Sequence, residues 1–353
     1  MPEVGRDSMS LEPVEALQRV IAGIGLNRGQ MATLMDRLMG GELDDAFKAG
    51  LLTALAAKGE TAAEIAGAVD VLRRRVVPIP HSRERIVDTC GTGGDGKGTF
   101  NVSTAAALVA AAVGAAVAKH GNRSVSSRCG SADVLEALGV RVESDPQAAG
   151  RCLDEIGICF LFAPEYHPAM REVMPVRRAL GVRTIFNLLG PLTNPAGARR
   201  QLLGVYAPHL VELVATVLAE LGAEAAMVVH GEDGLDELTT TGSTQVAEVR
   251  EGRVRSYKLD PEALGLARAR PDALAGGDPQ ENAALMVRVL EGESGALSDI
   301  TVLNAGAALF VAGEVSDLAD GVQQARGALD NGAAQAKLEQ LREVSLRGEA
   351  AGE

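Results

Sequence analysis

The sequence predicts an α/β protein that carries a small all-helical domain at its N-terminus. Three observations lead there. The chain has 353 residues, which at roughly 100–200 residues per domain makes about two domains. From Leu11 to Arg75 the apolar residues recur at helical spacing with no strand candidate. Beyond Pro80, short β-branched runs alternate with helical stretches, the pattern of parallel strands joined by crossover helices.

Taken in order, residues 1–10 read as a loose extension and 11–76 as the helical domain. Ser10 is placed to cap the first helix and Gly25 to end it; Asn27 and Gly40 bracket the second, and Asp44 and Gly59 the third. Thr61-Ala-Ala-Glu64 is a capping box that opens a fourth. Val77-Pro-Ile-Pro80 is a linker, and 81–353 is the α/β domain. Its strand candidates are Ile86–Asp88, Val117–Lys119, Val140–Val142, Ile158–Phe162, Leu202–Tyr206 and Ala225–His230. Helices are expected at Ser131–Leu138 and His209–Leu221, a hairpin over Thr244–Leu259 turning at Glu251-Gly252, and Ala-rich helices at the end.

Composition narrows the function. Hydrophobic residues make up 46% and charged residues 23%, which excludes a disordered or fibrous chain. With no Trp and 3% aromatics there are few platforms on which bases could stack. The net charge of −13 argues against a polyanion-binding surface, so no nucleic-acid partner is expected and any anion must be met locally. Cys90, Cys129, Cys152 and Cys159 form no CxxC pair, and the five histidines have no zinc spacing. The expectation is a reduced cytoplasmic protein without structural metal. The N-terminus has no basic start followed by an apolar run, so no export signal is expected. The longest small and apolar run, Ala105–Ala118, falls short of the ~18 residues of a membrane span and reads as a buried helix with the strand after it.

One window stands apart. Between Asp95 and Asp133 there is no acid, yet Lys97, Lys119, His120, Arg123 and Arg128 lie within it, which points to an anionic ligand. Overlapping its start is the loop Cys90-Gly-Thr-Gly-Gly-Asp-Gly-Lys-Gly-Thr99, between a strand and a helix, where main-chain N–H groups converge on an anion. Gly91-x-Gly93-x-x-Gly96 imitates a dinucleotide fingerprint, but the acid required about 20 residues on is missing. Gly91-x4-Gly96-Lys97 imitates a P-loop, but Gly98 stands where Ser or Thr is needed. Asn101-Val-Ser-Thr104 then opens the Ala-rich helix with an amide and two hydroxyls, either plain caps or further donors to the same anion.

The block Lys119-His-Gly-Asn-Arg-Ser-Val-Ser-Ser127 with Gly130-Ser-Ala-Asp-Val-Leu-Glu-Ala-Leu-Gly139, taken with Gly91–Asp95 and Asn101–Thr104, resembles the anthranilate phosphoribosyltransferases. The resemblance runs on through Phe160–Met170, Pro175–Arg178, Arg183–Pro195 and Gly234–Glu237, and so spans nearly everything from Leu11 onward. It implies the nucleoside phosphorylase/phosphoribosyltransferase-like two-domain architecture, with the active site between the domains. It also implies a homodimer formed through the helical domain, and a segment near 170–190 that rejoins that domain. The implied reaction joins anthranilate to 5-phosphoribosyl 1-diphosphate (PRPP) with Mg²⁺, two ions being expected.

Residue by residue, the resemblance assigns Gly91, Gly94, Asp95, Thr99, Asn101, Ser103 and Thr104 to PRPP. To these it adds Lys119, His120, Gly121, Asn122, Arg123, Ser124, Val125, Ser126, Ser127 and Ser131. Anthranilate would meet Gly91, Asn122 and Arg177, the last pairing with its carboxylate. Ser103, Asp236 and Glu237 would hold the metal, since a hard cation takes carboxylate oxygens and substrate phosphates. Nothing in the motif gives His120 a carboxylate partner, so it is expected to be a contact residue, and no acid or base is assigned. Cys90 and Cys129 lack a partnered base and read as packing residues. Two other readings compete. A pyrimidine nucleoside phosphorylase would show a Ser-x-Arg-Gly-like block where Asn122-Arg123 stands, and a nucleic-acid-binding relative would need a basic surface and could lose Asp236 and Glu237.

Overall fold

A computed structural model describes residues 11–124 and 128–347. The N-terminal helices are α1 (Pro13–Ile21), α2 (Arg28–Met39), α3 (Asp45–Lys58) and α4 (Ala62–Arg75). Their starts follow the sequence chemistry. Asn27 and Gln30 form a capping box on α2, Asp44 accepts the N–H of Phe47 on α3, and Thr61 and Glu64 form the capping box of α4. The first helix differs. Ser10 lies outside the described residues, Glu12 occupies the N-cap without a side-chain bond, and Pro13 opens the helix with its preset φ. It stops at Ile21, short of Gly25, because Gly23 at φ +76° turns the chain out of the helix.

The described residues of Met1–Val76, together with His167–Thr193, make one compact unit; Val77–Tyr166 with the described residues of Asn194–Glu353 make the other. The second unit is built on seven strands, β1 (Ile86–Gly91), β2 (Ala116–Gly121), β3 (Ile158–Phe162), β4 (Arg200–Gly204), β5 (Ala225–Gly231), β6 (Thr244–Arg250) and β7 (Arg253–Leu259). They lie in the order β3-β2-β1-β4-β5-β6-β7. The first five are parallel, and β6 and β7 add on antiparallel. The expected hairpin turns where Glu251 and Gly252 both take positive φ, as a two-residue turn requires.

Val140–Val142 is not a strand. The Val140 N–H closes the preceding helix on the Leu135 carbonyl and the Arg141 N–H goes to Ser345 Oγ, so the alternating Val-Arg-Val run finds no ladder although both valines are buried. The strand expected at Leu202–Tyr206 sits two residues earlier, where Arg200–Gly204 pairs on both sides.

Helix α5 (Val102–Val113) follows β1, and its alanines are almost wholly buried. Small residues also let helices Ala296–Ala312 and Leu318–Asp330 approach closely: a Cβ on Gly306 would meet the Val322 nitrogen at 2.6 Å. Chain order reverses between β1 and β4. In an open parallel sheet, the carboxyl ends of the strands at such a switch point form the natural ligand crevice. Among the described residues no helix is long and apolar enough to cross a membrane.

Candidate active site

The glycine loop leaves the carboxyl end of β1 at that switch point. Gly93, Gly94, Gly96 and Gly98 all have positive φ, between +63° and +80°, a backbone that only glycine adopts without strain. The loop is tied to its surroundings by Thr92, whose N–H donates to the Gly204 carbonyl and whose hydroxyl accepts the N–H of Tyr206. At its far end Gly98 accepts the N–H of Gly276, and Thr99 bridges to Ala275. The Asp95 carboxylate accepts the N–H of Lys97.

Asp236 and Glu237 arrive from the loop after β5. The Gly93 N–H donates to Asp236 Oδ2 at 2.8 Å, and the Ser103 N–H, in the first turn of α5, donates to Glu237 Oε1 at 3.1 Å. Two glycines make room for them. A Cβ on Gly91 would fall 2.4 Å from Asp236 Oδ2, and one on Gly204 would fall 1.5 Å from the Asp236 carbonyl oxygen. Burial pushes both carboxyls above the ordinary range; the charge of Asp95 adds to the shift at Asp236, and that of Asp236 to the shift at Glu237. Burial also pushes the Cys90 thiol well up, which leaves it inert.

Under this pair lies Lys119, which is 3% exposed. Its Nζ donates to the Thr89 carbonyl at 2.6 Å and to Ser103 Oγ at 3.1 Å. Burial lowers its pKa, opposed by the charges of Asp88, Glu237 and Asp236. Asp88, fully buried in β1, accepts the N–H of His120 at 3.0 Å and Nδ2 of Asn194 at 2.7 Å. Desolvation raises its carboxyl to about 6.

The second loop starts at Gly121, where a Cβ would collide with Ser131 Oγ at 2.2 Å. The Asn122 N–H donates to Ser131 Oγ, which donates back to the Asn122 carbonyl. Asp133 accepts the N–H groups of Ser124 and Gly130 on one oxygen and so closes the loop. Arg123 pairs with Glu136, Asp133 and Glu143 and lies over the Phe162 ring at 5.4 Å. Val125, Ser126 and Ser127 lie outside the described residues.

At the start of α5, Asn101 occupies the N-cap without capping. Its Nδ2 donates to the Cys129 carbonyl, and its Oδ1 accepts from the buried amide of Asn282. Thr104, 1% exposed, has a hydroxyl with no hydrogen-bond partner among the described residues, a buried polar atom in the first turn of the helix. In the other unit, Arg177 sits half-buried on helix Met174–Leu180. Its guanidinium lies over Phe186 at 5.5 Å and contacts Met174 Sδ, and it has no carboxylate partner among the described residues. Burial pulls its pKa down.

The fold therefore gathers Gly91, Asp95, Ser103, Lys119, Asp236 and Glu237 at the carboxyl ends of β1 and its neighbours. It turns Arg123 and the Lys119 ammonium onto protein acids and carbonyls. Asp88, Asn194 and Asn282 escaped the sequence reading because a buried amide or carboxylate inside an apolar run carries no spacing signal. Among the described residues, no group of three or more His, Cys, Asp or Glu side chains is disposed to hold a metal ion. Magnesium typically takes only one or two carboxylates and completes its shell with water and phosphate.

Residues 83–335 match the a/b domain model of a glycosyl transferase family, and residues 14–76 match its helical bundle domain. The anthranilate phosphoribosyltransferase of Desulfatibacillum aliphaticivorans is 52% identical over 327 residues, 93% of this chain and 97% of that one. That of Rubrobacter xylanophilus is 52% identical over 334 residues, 94% of this chain and 97% of its own length. The crystal structure of the Thermus thermophilus enzyme has a TM-score of 0.89 at 50% identity and covers 94% of this chain and 99% of that one. The Saccharomyces cerevisiae enzyme in complex with PRPP and Mg has a TM-score of 0.85 at 25% identity, over 94% of this chain and 97% of that one. Half the residues identical over nine-tenths of the length, on the same fold, places the chain in the anthranilate phosphoribosyltransferase family.

Proposed function

We propose that this chain transfers the phosphoribosyl group of PRPP to the amine of anthranilate. The products are N-(5-phosphoribosyl)anthranilate and diphosphate, the reaction belongs to tryptophan biosynthesis, and the enzyme acts in the cytoplasm. One observation carries the reading: the glycine loop, the N-terminus of α5 and the acid pair Asp236-Glu237 converge at the β1/β4 switch point, in a chain half identical to known enzymes of this reaction.

The donor set fits a divalent cation. Two adjacent carboxylates, both half-buried and both held above their usual pKa, repel each other until positive charge arrives between them and the substrate. Asp236 and Glu237 with Ser103 would hold Mg²⁺, two ions in this proposal, and Mg²⁺ supplies charge that stabilises diphosphate as it leaves. The glycine loop, whose positive-φ residues let its backbone approach closely, and the Thr104 hydroxyl would orient the phosphates. Asn101, His120–Asn122, Ser124 and Ser131 would line the ribose and diphosphate.

Arg177, which has no carboxylate partner among the described residues, would pair with the anthranilate carboxylate, and Gly91 and Asn122 are the other residues proposed to meet that substrate. In the reaction the bond from ribose C1 to the diphosphate oxygen breaks, its electrons leaving with diphosphate. The anthranilate nitrogen lone pair then forms the new bond to C1, and the surplus proton on nitrogen passes to solvent. A weakly basic aromatic amine keeps its lone pair available at neutral pH, so positioning and electrostatics carry the barrier reduction and no general base is assigned.

The helical unit leaves Val14, Ile21 and Ile24 exposed, and we propose that it pairs two copies as a homodimer, which sedimentation velocity at micromolar concentration reads directly. Loss of anthranilate fluorescence on adding PRPP and Mg²⁺ tests the activity. Fluorescence unchanged, with phosphate-dependent cleavage of a pyrimidine nucleoside, would reassign the chain to the phosphorylases. Neither activity, with nucleic acid bound, would support the binding-protein reading.

A further inference from the structure

The loop that carries the acid pair is gripped by one amide from a distant part of the chain. Asn304 lies midway along helix Ala296–Ala312, most of whose residues are buried, and is itself 0% exposed. Its Oδ1 accepts the Leu238 N–H at 3.1 Å, and its Nδ2 donates to the Leu238 carbonyl at 2.8 Å and to the Ile300 carbonyl at 2.9 Å. The Leu238 N–H belongs to the peptide that joins it to Glu237. Both polar groups of one residue are thus held as a neighbouring strand would hold them, so the backbone leaving Glu237 can neither rotate nor slide.

A second brace lies within the loop. Asp233 Oδ2 accepts the hydroxyls of Thr239 and Thr241 at 2.6 and 2.5 Å, and its Oδ1 accepts the Leu235 N–H. Among the described residues, Asn304 is the side chain that reaches in from another element to grip the residue after Glu237. An amide is costly inside an apolar helix, because Asn favours helices poorly and its polar atoms lose water. Here every one of those atoms finds a partner on the loop or on its own helix.

We propose that Asn304 is a positioning residue for the metal-holding pair, fixing where Asp236 and Glu237 stand against the N–H groups of Gly93 and Ser103. This rests on the reading that the pair holds the divalent cation of the reaction. The bland alternative is that Asn304 only satisfies a buried peptide, in which case its loss lowers stability and leaves the cation site as it was.

Mn²⁺, titrated by electron paramagnetic resonance in the presence of PRPP, separates these without relying on turnover. The variants are Asn304→Leu, which keeps the number and branching of side-chain heavy atoms, and the milder Asn304→Ser. Leu309→Ala, more than a turn along the same helix and equally buried, serves as a packing control. In the Asn304 variants the Mn²⁺ dissociation constant is expected to rise at least about tenfold, as loss of outer-shell support typically does. The control should lower the melting temperature with its Mn²⁺ affinity intact.

Wild-type Mn²⁺ affinity in the Asn304 variants overturns the proposal, as does equal weakening in Leu309→Ala. Failure of both Asn304 variants to fold assigns the residue to the core and likewise overturns it. If instead Asp236→Asn with Glu237→Gln retains full Mn²⁺ affinity, the acid-pair reading itself has failed, a result separate from the behaviour of Asn304.

Discussion

Gly91→Ala tests the acid pair through a single methyl group. Gly91 is paired in the ladder with Gly204, so its backbone cannot retreat. Its φ is not in the left-handed region, so alanine brings no backbone strain there. What it brings is a Cβ 2.4 Å from Asp236 Oδ2, where ordinary contact begins near 3.4 Å. The carboxylate must therefore move by about 1 Å, enough to break its bond to the Gly93 N–H, and displacements of that size near reacting groups cost on the order of 100-fold in rate. Overpacking of this kind costs about 1–3 kcal/mol in stability, so the protein should still fold.

Steady-state kcat/KM measured across a range of Mg²⁺ concentrations, beside a melting curve, reads both effects. The expected result is a roughly 100-fold loss with a raised Mg²⁺ half-saturation and a modestly lowered Tm. Gly204→Ala is the harder case, because its Cβ would meet the Asp236 carbonyl at 1.5 Å and no side-chain rotation relieves a backbone clash. It should lose more stability than Gly91→Ala. Wild-type kcat/KM and an unchanged Mg²⁺ response in Gly91→Ala would refute the assignment of Asp236.

Asp236→Asn with Glu237→Gln should abolish most turnover while far-UV circular dichroism stays native, and full activity at ordinary Mg²⁺ would count against a metal role. Arg177→Ala should raise the anthranilate KM about 10- to 100-fold, from a charge-assisted pair of roughly 1.5–3 kcal/mol, and affect PRPP less. Lys119→Ala should do the reverse, because it removes the Nζ–H bond that holds the Ser103 hydroxyl; kinetics varying each substrate in turn distinguish the two. Both acids of the pair have folded-state pKa values raised above their unfolded ones, so the folded protein binds more protons once pH passes the ordinary carboxylate range near 4. Stability contributed by this site is therefore present below that range and lost as pH rises. The metal-free Tm should fall on going from pH 5 to pH 8, and Mg²⁺ should raise it more at pH 8, which differential scanning calorimetry checks.

Much of the fold was legible because local chemistry and tertiary structure agree. The capping boxes at Asn27 and Thr61, the all-apolar run Ile158–Phe162 and the Glu251-Gly252 turn each state their structure within a few residues. Val140–Val142 misled because a period-two pattern specifies a face and not a partner, and helix Ala333–Leu346 supplies the contact at Ser345 that a strand would have made. The site divides in the same way. The glycine loop announces itself, since only glycine tolerates its backbone. Asp88, Asn194, Asn282 and Asn304 act through bonds to residues 66 to 181 positions away or through burial, and neither leaves a mark on spacing.

The acid-free window shows how far a linear reading of charge can depart from the field a ligand meets. Along the chain, Lys119 and Arg123 stand in a positive stretch. In the fold, Asp88, Asp236 and Glu237 surround Lys119, and Asp133, Glu136 and Glu143 surround Arg123. The lysine's ammonium is already bonded to a carbonyl and a hydroxyl, and the arginine's guanidinium to carboxylates. Neither side chain, as it stands, offers free charge to a diphosphate. What the strand ends do offer is a glycine backbone that a phosphate can approach closely, and a pair of half-buried carboxylates, which repel an anion. Such a site favours a polyphosphate only in company with a divalent cation, because the cation turns the carboxylates from a repulsive feature into an anchor. The acid-free stretch after Asp95 and the acids brought in from residues 236 and 237 are then two parts of one arrangement: beyond Asp95 the window adds no carboxylate of its own, so the pair from the other loop is what a divalent cation would meet.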